Sequence, residues 1–348
     1  GAPATFPGEM HKILAGVLAL LSIVSTLLVG IWLHQSGVFA GFGVYSFITV
    51  GLIVLSGGFA VTAELGPPKS ADIEVIRKKA DVLRDCVDAV NITDNQTSVT
   101  RMCSLAACIR LKQMGLEPVL QMVTRDRNRI ALQSDILTAY SLGIDNMLLL
   151  TGDHTSLGDH KDARNVFDLD SVQLIKIAAG LKEGHDMIGN EILNPPNMTI
   201  GAVVNPNFEP LDLQLMKMEK KIEAGAEFFQ TQAVYDVNVF ERFIEKAEKL
   251  GRPIQAGVVF LKSPGMGKYM NANVSGIKVP QDWIDEIGSV EARDRKKKSV
   301  EMTVRFTREI KSMCQGIHFM PLGWFDAVVD VIDAINGADM KFAHAVNA

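Results

Sequence analysis

The sequence predicts an α/β fold, a (β/α)8 TIM barrel preceded by an apolar N-terminal helical hairpin. From residue 59 onward, eight short apolar runs alternate with amphipathic stretches, which is the pattern of parallel strands separated by helices. Eight strands are the number that closes such a barrel. Before them, the 51 residues between Lys12 and Glu64 contain no Asp, Glu, Lys or Arg. The chain is therefore expected to divide into an apolar extension, 1–58, and a barrel domain, 59–348.

The eight apolar runs follow one another at intervals that leave room for a helix after each. Two clear amphipathic stretches between them are residues 70–85 and 212–226. The connections after the fourth and seventh runs, 153–169 and 260–294, are long and are candidate active-site loops. The runs themselves are residues 59–64, 87–93, 117–123, 145–152, 198–204, 227–232, 253–259 and 316–323.

The extension contains two uncharged segments, 13–33 and 38–56, each long enough to cross a bilayer core as a helix. A short polar turn, "HQSG", lies between them. Basic residues flank the pair on both sides, and cytoplasmic flanks are enriched in Lys and Arg. The sequence favours a membrane hairpin, and the alternatives are a buried helical pair in a soluble protein or a segment that is not native to the barrel protein. The flanking basic residues are Lys12, Lys69, Arg77, Lys78 and Lys79.

The composition argues against several functional classes. A net charge of −5 and a pI of about 5.9 do not suit general affinity for nucleic acid, which needs a basic face. The four cysteines include no CxxC pair, so we expect no metal site and interpret them as buried free thiols in a reducing compartment. No GxGxxG, Walker, HExxH or GxSxG pattern is present. We expect His154, His160 and His185 to be exposed rather than ligands.

Polar residues stand at the ends of six predicted strands. In such a barrel the carboxyl ends of the strands meet at one mouth, where the chemistry lies. Each residue alone has an ordinary interpretation: Asp126 as a helix cap, Asp153 as a loop carboxylate and Gln232 as a satisfied interior amide. Together they predict a polar site. The strand-end residues are Glu64, Thr93, Asp94, Asn95, Gln121, Thr124, Arg125, Asp126, Thr151, Asp153, Asn205, Gln230 and Gln232.

Glu64 is the carboxylate on which the long uncharged stretch ends. Gly66, Pro67 and Pro68 follow it and stiffen the turn. A carboxyl group in partly dry surroundings has a raised pKa and can act as a general acid near neutral pH. The alternative is a glutamate that only hydrogen-bonds a neighbouring loop, and the residues by themselves favour neither.

Several motifs together resemble the methylenetetrahydrofolate reductase family. They are "AELGPP", "VNITDNQ", "RDRNRIALQSDILTAYSLGIDNMLLLTGD", "FDLDSVQL", "NPNFEP" and "KKIEAGAEFFQTQAVYD", which occur in order between Phe59 and Ile335. The resemblance is closest to the short bacterial and acetogen-like branch, which has the catalytic barrel only. It implies a flavin-bearing barrel that reduces 5,10-methylenetetrahydrofolate to 5-methyltetrahydrofolate in one-carbon metabolism.

The resemblance implies roles for four residues on the substrate side. Glu64 matches the glutamate that protonates folate N5 and opens the methylene bridge to an iminium. Asp153 matches an aspartate near the flavin and the folate pterin, and Gln232 matches a glutamine that hydrogen-bonds the pterin. Tyr269 falls within one residue of a loop aromatic that packs on the substrate or the nicotinamide.

On the flavin side, the resemblance implies that Thr93 contacts the flavin and that Lys221 contacts its phosphate. Gln121 and Asn205 stand where many members have flavin-contacting histidines. The implied cofactor-binding set is Thr93, Gln121, Asp153, Asn205 and Lys221.

Two further positions depart from the family, which often has arginine at Thr151 and an aromatic residue at Asp94. The departures leave FAD and FMN open as the cofactor, and NAD(P)H or a partner iron–sulfur protein open as the electron donor. The expected partners are a folate substrate and further copies of the chain, together with an iron–sulfur subunit if such a protein, rather than NAD(P)H, is the electron donor. No nucleic-acid partner is expected. The catalytic domain is expected to be cytoplasmic, and attached to the cytoplasmic face of the membrane if the hairpin is native.

Two other functions fit the same pattern. One is a folate-binding barrel methyltransferase that serves a corrinoid protein and uses no flavin. The other is a membrane-anchored assembly subunit of a redox complex, with a degenerate barrel that docks redox partners.

Overall fold

The computed structural model describes residues 59–336, and this part of the chain forms a closed eight-stranded barrel. All neighbouring strands are parallel, and β8 pairs with β1 to close the ring. The predicted (β/α)8 fold is confirmed. The strands are β1 Ala60–Leu65, β2 Ala89–Ile92, β3 Pro118–Val123, β4 Asn146–Leu150, β5 Thr199–Val204, β6 Phe228–Ala233, β7 Ile254–Val259 and β8 Gly316–Met320.

Helices connect the strands on the outside of the barrel. The long connection after β7 holds two helices of its own, α7 and α8, and the one after β4 contains a short 3₁₀ turn at Thr155–Leu157. The helices are α1 Glu74–Leu83, α2 Ser104–Gln113, α3 Arg129–Ser141, α4 Ser171–Lys182, α5 Leu211–Glu223, α6 Val237–Ala247, α7 Pro264–Asn273, α8 Gln281–Gly288, α9 Arg295–Ile310 and α10 Phe325–Asn336.

Alternation along the strands divides the core into two apolar regions. In β1, Val61, Ala63 and Leu65 belong to the large cluster between the strands and the helices. Ala60 belongs instead to a small cluster inside the barrel. Successive side chains of a strand point to opposite faces, so Thr62 and Glu64 continue the interior column above Ala60. The interior cluster is Ala60, Ala89, Val119, Leu148 and Phe228.

A polar layer lies above this small apolar floor. Its members are buried strand residues. Most of them lie two residues beyond a floor residue on the same strand, and the others pair with one of these layer residues on the neighbouring strand. The barrel interior therefore changes from apolar to polar towards the carboxyl ends of the strands, which places the binding chemistry at that mouth. The layer consists of Thr62, Asn91, Gln121, Gln230, Gln255 and His318.

The N-terminal hairpin prediction lies outside the described residues, as do the last residues assigned to the barrel domain, 337–348. Within 59–336, no helix combines the length and the apolar character needed to cross a bilayer. Of the cysteines in this part, Cys108 and Cys314 are buried, Cys86 is half-buried and Cys103 is exposed, so the expectation of buried thiols is wrong for Cys103.

Candidate active site

A cavity of about 780 Å³ opens at the carboxyl ends of the strands. Seven of the eight predicted site residues line it, contributed by β1, β2, β3, β5, β6, the β4 loop and helix α5. Tyr269 does not line it, because that residue lies on α7 with 62% of its surface exposed. Phe208, an aromatic residue after β5, also lines the cavity and was not predicted from the sequence. The seven predicted residues are Glu64, Thr93, Gln121, Asp153, Asn205, Lys221 and Gln232.

Glu64 is partly buried where β1 ends, and its pKa is shifted towards neutrality. Burial raises the pKa of Glu64 to about 7, although hydrogen bonds from the Gln96 and Gln121 side chains lower it. Nε2 of Gln96 lies 3.2 Å from Oε1 of Glu64. Both interpretations of Glu64 are therefore compatible with the structure. The carboxyl group faces a cavity and has a pKa that suits a general acid, and it also accepts a hydrogen bond from a neighbouring loop.

Thr93 directly follows β2, and its hydroxyl group is buried and has no hydrogen-bond partner among residues 59–336. A Cβ atom on Gly66 would lie 3.6 Å from this hydroxyl oxygen. Buried hydroxyl groups are normally hydrogen-bonded, so an unsatisfied one in a cavity wall is available to a ligand.

A chain of amides crosses the polar layer beneath the cavity. Asn91 donates from Nδ2 to Oε1 of Gln230 at 2.9 Å, and Gln230 donates from Nε2 to Oε1 of Gln255 at 2.8 Å. These bonds fix the orientation of the Gln230 amide, which lines the cavity floor. Beside it, the Thr62 hydroxyl and Nδ1 of His318 are 2.9 Å apart. Burial lowers the pKa of His318 to about 3, so its imidazole is neutral at physiological pH.

Asp94 and the residues after β3 form a charged wall. The Asp94 carboxylate is buried and accepts hydrogen bonds from Nη1 of Arg127 at 2.6 Å and from the Val123 amide at 3.1 Å. The buried charge of Asp94 is therefore compensated by a cation and a backbone donor. Arg125 is also buried and pairs with Asp126. The cap of α3 is Asn128, which accepts from two backbone amides, so the capping role considered for Asp126 is wrong.

Asp153 and Gly152 follow β4 at the cavity edge. Gly152 has a φ of 86°, and a Cβ atom there would lie 2.9 Å from Cβ of Val123, so the turn requires glycine. The backbone carbonyl of Asp153 accepts a hydrogen bond from Arg125 at 3.1 Å. Asp153 itself is exposed and lies at the rim of the cavity.

Helix α5 supplies a basic side to the cavity. Lys221 is half-buried, and Nζ donates to the Val203 carbonyl at 2.6 Å. Burial, with a smaller contribution from Lys217, lowers the pKa of Lys221 to about 8. Gln214, Lys217 and Lys220 line the same side. Residues three and four apart share a helix face, which is why 214, 217 and 221 meet here.

Gln232 and Asn205 have local partners that restrain their side chains. Oε1 of Gln232 accepts from the Ala233 amide at 3.0 Å, which leaves its NH2 group directed towards other partners. Oδ1 of Asn205 accepts from the Asn207 amide at 3.0 Å. Asn207 in turn donates to the carbonyls of Ala233 and Gly276, and so ties the β5 loop to the segment after α7.

Comparison with known proteins identifies a family. Residues 51–336 match the family model described as methylenetetrahydrofolate reductase. "Methylenetetrahydrofolate reductase 1" of Schizosaccharomyces pombe is 27% identical over 151 residues, which cover 40% of this chain and 24% of the relative. "Probable methylenetetrahydrofolate reductase (NADPH)" of Caenorhabditis elegans is 24% identical over 203 residues, which cover 58% and 28%. The chain spans about a quarter of the length of these curated relatives.

A solved structure from Clostridium thermocellum has the same fold. Its TM-score is 0.56 at 15% identity, covering 81% of this chain and 97% of that chain, and it is described as an uncharacterized protein that binds two copies of 5-methyl-5,6,7,8-tetrahydrofolic acid. At this identity the likeness supports the barrel fold alone. The family match covers nearly the whole barrel and every cavity residue named above, and on that ground the chain belongs to the methylenetetrahydrofolate reductase family.

Proposed function

We propose that the protein reduces 5,10-methylenetetrahydrofolate to 5-methyltetrahydrofolate with a bound flavin. The observation that carries the proposal is Glu64, a carboxyl group with a pKa of about 7 that faces a cavity of about 780 Å³, which is within the range of small-molecule sites. Family membership supports the same reaction, and a Clostridium thermocellum protein with the same fold binds 5-methyl-5,6,7,8-tetrahydrofolic acid.

Two features of the cavity fit a flavin. The unsatisfied Thr93 hydroxyl can bond a polar edge of the isoalloxazine ring, and the lysines of α5 can hold a phosphate group. Gln121 and Asn205 add neutral polar groups to the lining of the same cavity. We assign Thr93, Gln121, Asp153, Asn205 and Lys221 to cofactor binding. FAD and FMN share the isoalloxazine ring, the ribityl chain and the first phosphate group. The assigned residues address only these shared parts, so both remain candidates.

The protein's own residues account for the proton transfer. The product carries its methyl group on N5, so the bond that breaks is the one between the bridge carbon and N10, and N10 needs the proton. Glu64 therefore protonates N10, and not N5 as the family resemblance implied. Loss of the bond leaves an iminium on N5, and a reduced flavin, when bound, supplies the hydride for its carbon. Gln232 orients the pterin, and the exposed Asp153 carboxylate stabilises the cationic folate electrostatically.

The Glu64→Gln variant tests the assignment. Glutamine keeps the size and an oxygen that can accept from Gln96, but it cannot donate a proton as an acid. We expect loss of folate reduction by a factor of about 10² to 10⁴, with flavin binding and flavin reduction largely unchanged. Normal folate turnover in this variant would overturn the role of Glu64. NAD(P)H and a reduced iron–sulfur protein are the two electron donors to compare in the flavin-reduction step.

The flavin separates this proposal from its rivals. A folate methyltransferase serving a corrinoid protein would bind folate in the same cavity without flavin, and an assembly subunit would bind neither. The orphan Thr93 hydroxyl and the basic side formed by α5 favour the flavin-dependent reductase.

A further inference from the structure

The segment between β2 and α2 has an unusual backbone. Asn95, Thr97 and Ser98 have positive φ angles of 43°, 56° and 55°. Positive φ is uncommon outside glycine, and it is most unfavourable for a β-branched residue such as threonine. Strained residues of this kind persist only where the surrounding structure holds them, and they concentrate at functional sites.

Contacts on both sides hold this segment in place. The Asn95 carbonyl accepts a hydrogen bond from the buried Arg125 guanidinium at 3.2 Å. The Asn95 side chain accepts from the Arg101 amide at 3.0 Å. At the other end, a Cβ atom on Gly158 would lie 1.9 Å from the Ser98 carbonyl oxygen, so only glycine fits the β4 loop against it.

The strained segment directs one side chain towards the proposed acid. Between Asn95 and Thr97, Gln96 lines the cavity and donates from Nε2 to Oε1 of Glu64 at 3.2 Å. Gln96 ends the "VNITDNQ" motif but is not among the site residues predicted from the sequence. Its position depends on a left-handed backbone at non-glycine residues, which no sequence pattern signals.

We propose that Gln96 is a positioning residue, which fixes the Glu64 carboxyl group at the cavity and favours its ionised form by donating a hydrogen bond. The strained Asn95–Ser98 segment holds the Gln96 side chain against the Glu64 carboxyl group. The inference rests on the proposed role of Glu64 as the acid. A hydrogen bond to a carboxylate is stronger than one to the neutral acid, so Gln96 limits how far burial can raise the proton affinity of Glu64.

Other charged groups surround Glu64, and the effect of Gln96 has to be separated from theirs. Lys79 and Arg101 approach the backbone after β1, at the carbonyls of Gly66 and Pro67. The pKa of Glu64 itself responds to burial, Gln96 and Gln121. The ionisable groups that line the same cavity are Asp94, Arg125, Asp153, Asp170, Lys217, Lys220, Lys221 and His318.

The test is the titration of the Glu64 carboxyl group in the full chain. The infrared band of the protonated carboxyl group is followed with pH, and the spectrum of Glu64→Gln is subtracted to isolate it. The Gln96→Met variant keeps the length of the side chain but removes the donor, and we expect the apparent pKa of Glu64 to rise by about 1. Gln96→Glu places a second carboxylate there and should raise it further. Gln113→Met, at an exposed glutamine of α2, is the matched control and should change nothing.

A change in rate alone would not separate positioning from a structural role, so the pH profile of folate reduction is measured beside the titration. Its descending limb should move to higher pH in Gln96→Met by the same amount as the carboxyl pKa. Gly158→Ala, which crowds Ser98 from outside the cavity, should also shift the carboxyl pKa upwards.

An unchanged carboxyl titration in both Gln96 variants would overturn the inference, and an unchanged titration in Gly158→Ala would overturn the role of the strained segment. These failures differ from failure of the proposed function. If Glu64→Gln still reduces folate, the acid is another group, whereas the infrared titration still reports whether Gln96 acts on Glu64.

Discussion

The Asp94 carboxylate and the Arg127 guanidinium form a buried ion pair beside the cavity, with Oδ2 and Nη1 2.6 Å apart. The Asp94 side chain is inaccessible to solvent, and Arg127 is 16% exposed. Arg127 also reaches Asp135 of α3 at 2.9 Å. The pair therefore joins the end of β2 to the loop after β3 and to the helix that follows. The cation of Arg127 compensates the buried charge of Asp94 in the cavity wall.

Removing the cation of this pair should destabilise the barrel. Arg127→Met leaves the Asp94 carboxylate buried without its partner, and we expect the free energy of unfolding to fall by about 3–5 kcal/mol. Denaturant unfolding of the full chain measures the change. Arg293→Met, at an exposed arginine, is the control and should change stability by less than about 0.5 kcal/mol. A loss below about 1 kcal/mol in Arg127→Met would show that the pair is not structurally important.

The raised pKa of Glu64 predicts how stability depends on pH. The carboxyl group has a pKa of about 7 when folded and an ordinary value of 4.5 when unfolded. The folded state therefore binds more protons between these values, and ionisation of Glu64 costs stability as pH rises from 4.5 through 7. Glu64→Gln removes this cost. We expect the variant to unfold like the wild type at pH 4.5 and to be more stable by the order of 1–3 kcal/mol at pH 8.

The comparison is made by denaturant unfolding at both pH values. Gln113→Met serves as a variant without an ionisable group and should show no such pH trend. If the stability difference between Glu64→Gln and the wild type is the same at pH 4.5 and pH 8, the Glu64 carboxyl group does not have a raised pKa.

The Thr93 hydroxyl should contribute to flavin binding and not to folding. Thr93→Val removes a buried group that has no partner within the described chain, so the protein without flavin should lose no thermal stability. Flavin affinity should fall by roughly 3- to 10-fold, the usual value of one hydrogen bond. Flavin fluorescence titration and thermal unfolding provide the two measurements.

The chain offers a matched control for this experiment. Thr303 lies on α9, away from the cavity, and its hydroxyl is likewise buried and unpartnered within residues 59–336. Thr303→Val should leave flavin affinity unchanged. Equal flavin affinity in Thr93→Val and the wild type would contradict the contact between Thr93 and the cofactor.

Lys221 should make flavin binding sensitive to pH. Its pKa is lowered to about 8, so the side chain is cationic below that value and becomes neutral above it. We expect affinity for the flavin phosphate to fall as pH rises through about 8. Lys221→Met should bind flavin roughly 10- to 100-fold more weakly at pH 7 and lose this pH dependence. Fluorescence titrations across pH measure both effects, with Lys249→Met, an exposed lysine, as the control. Retention of the pH dependence in Lys221→Met would assign it to another group.

The strand pattern predicted the barrel well because buried parallel strands are continuous apolar runs. The run 145–152 was two residues too long at its end, where Thr151 and Gly152 already belong to the loop. Seven of the predicted site residues line one cavity because the carboxyl ends of all eight strands meet there. Tyr269 was predicted from a loop position, and a helix, α7, forms in that loop and leaves the residue exposed outside the cavity lining.

The rest of the site depends on contacts that no local pattern contains. Asn91 and Gln230 are 139 residues apart, and their hydrogen bond exists only because the barrel closes. The Asp94–Arg127 pair joins separate strand ends in the same way. Gln96 depends on left-handed residues on either side of it, held from outside by Arg125 and Gly158.

The most direct test of the account is the visible absorption spectrum of the purified full chain, incubated with FAD or FMN and then mixed anaerobically with 5-methyltetrahydrofolate. The account predicts flavin bands that bleach when the folate is added, because the folate product returns its hydride to the oxidised cofactor. Glu64→Gln should show the same flavin bands without the bleaching. A wild-type protein that stays colourless after incubation with either flavin, or one whose bands do not respond to the folate, would contradict the proposed reductase.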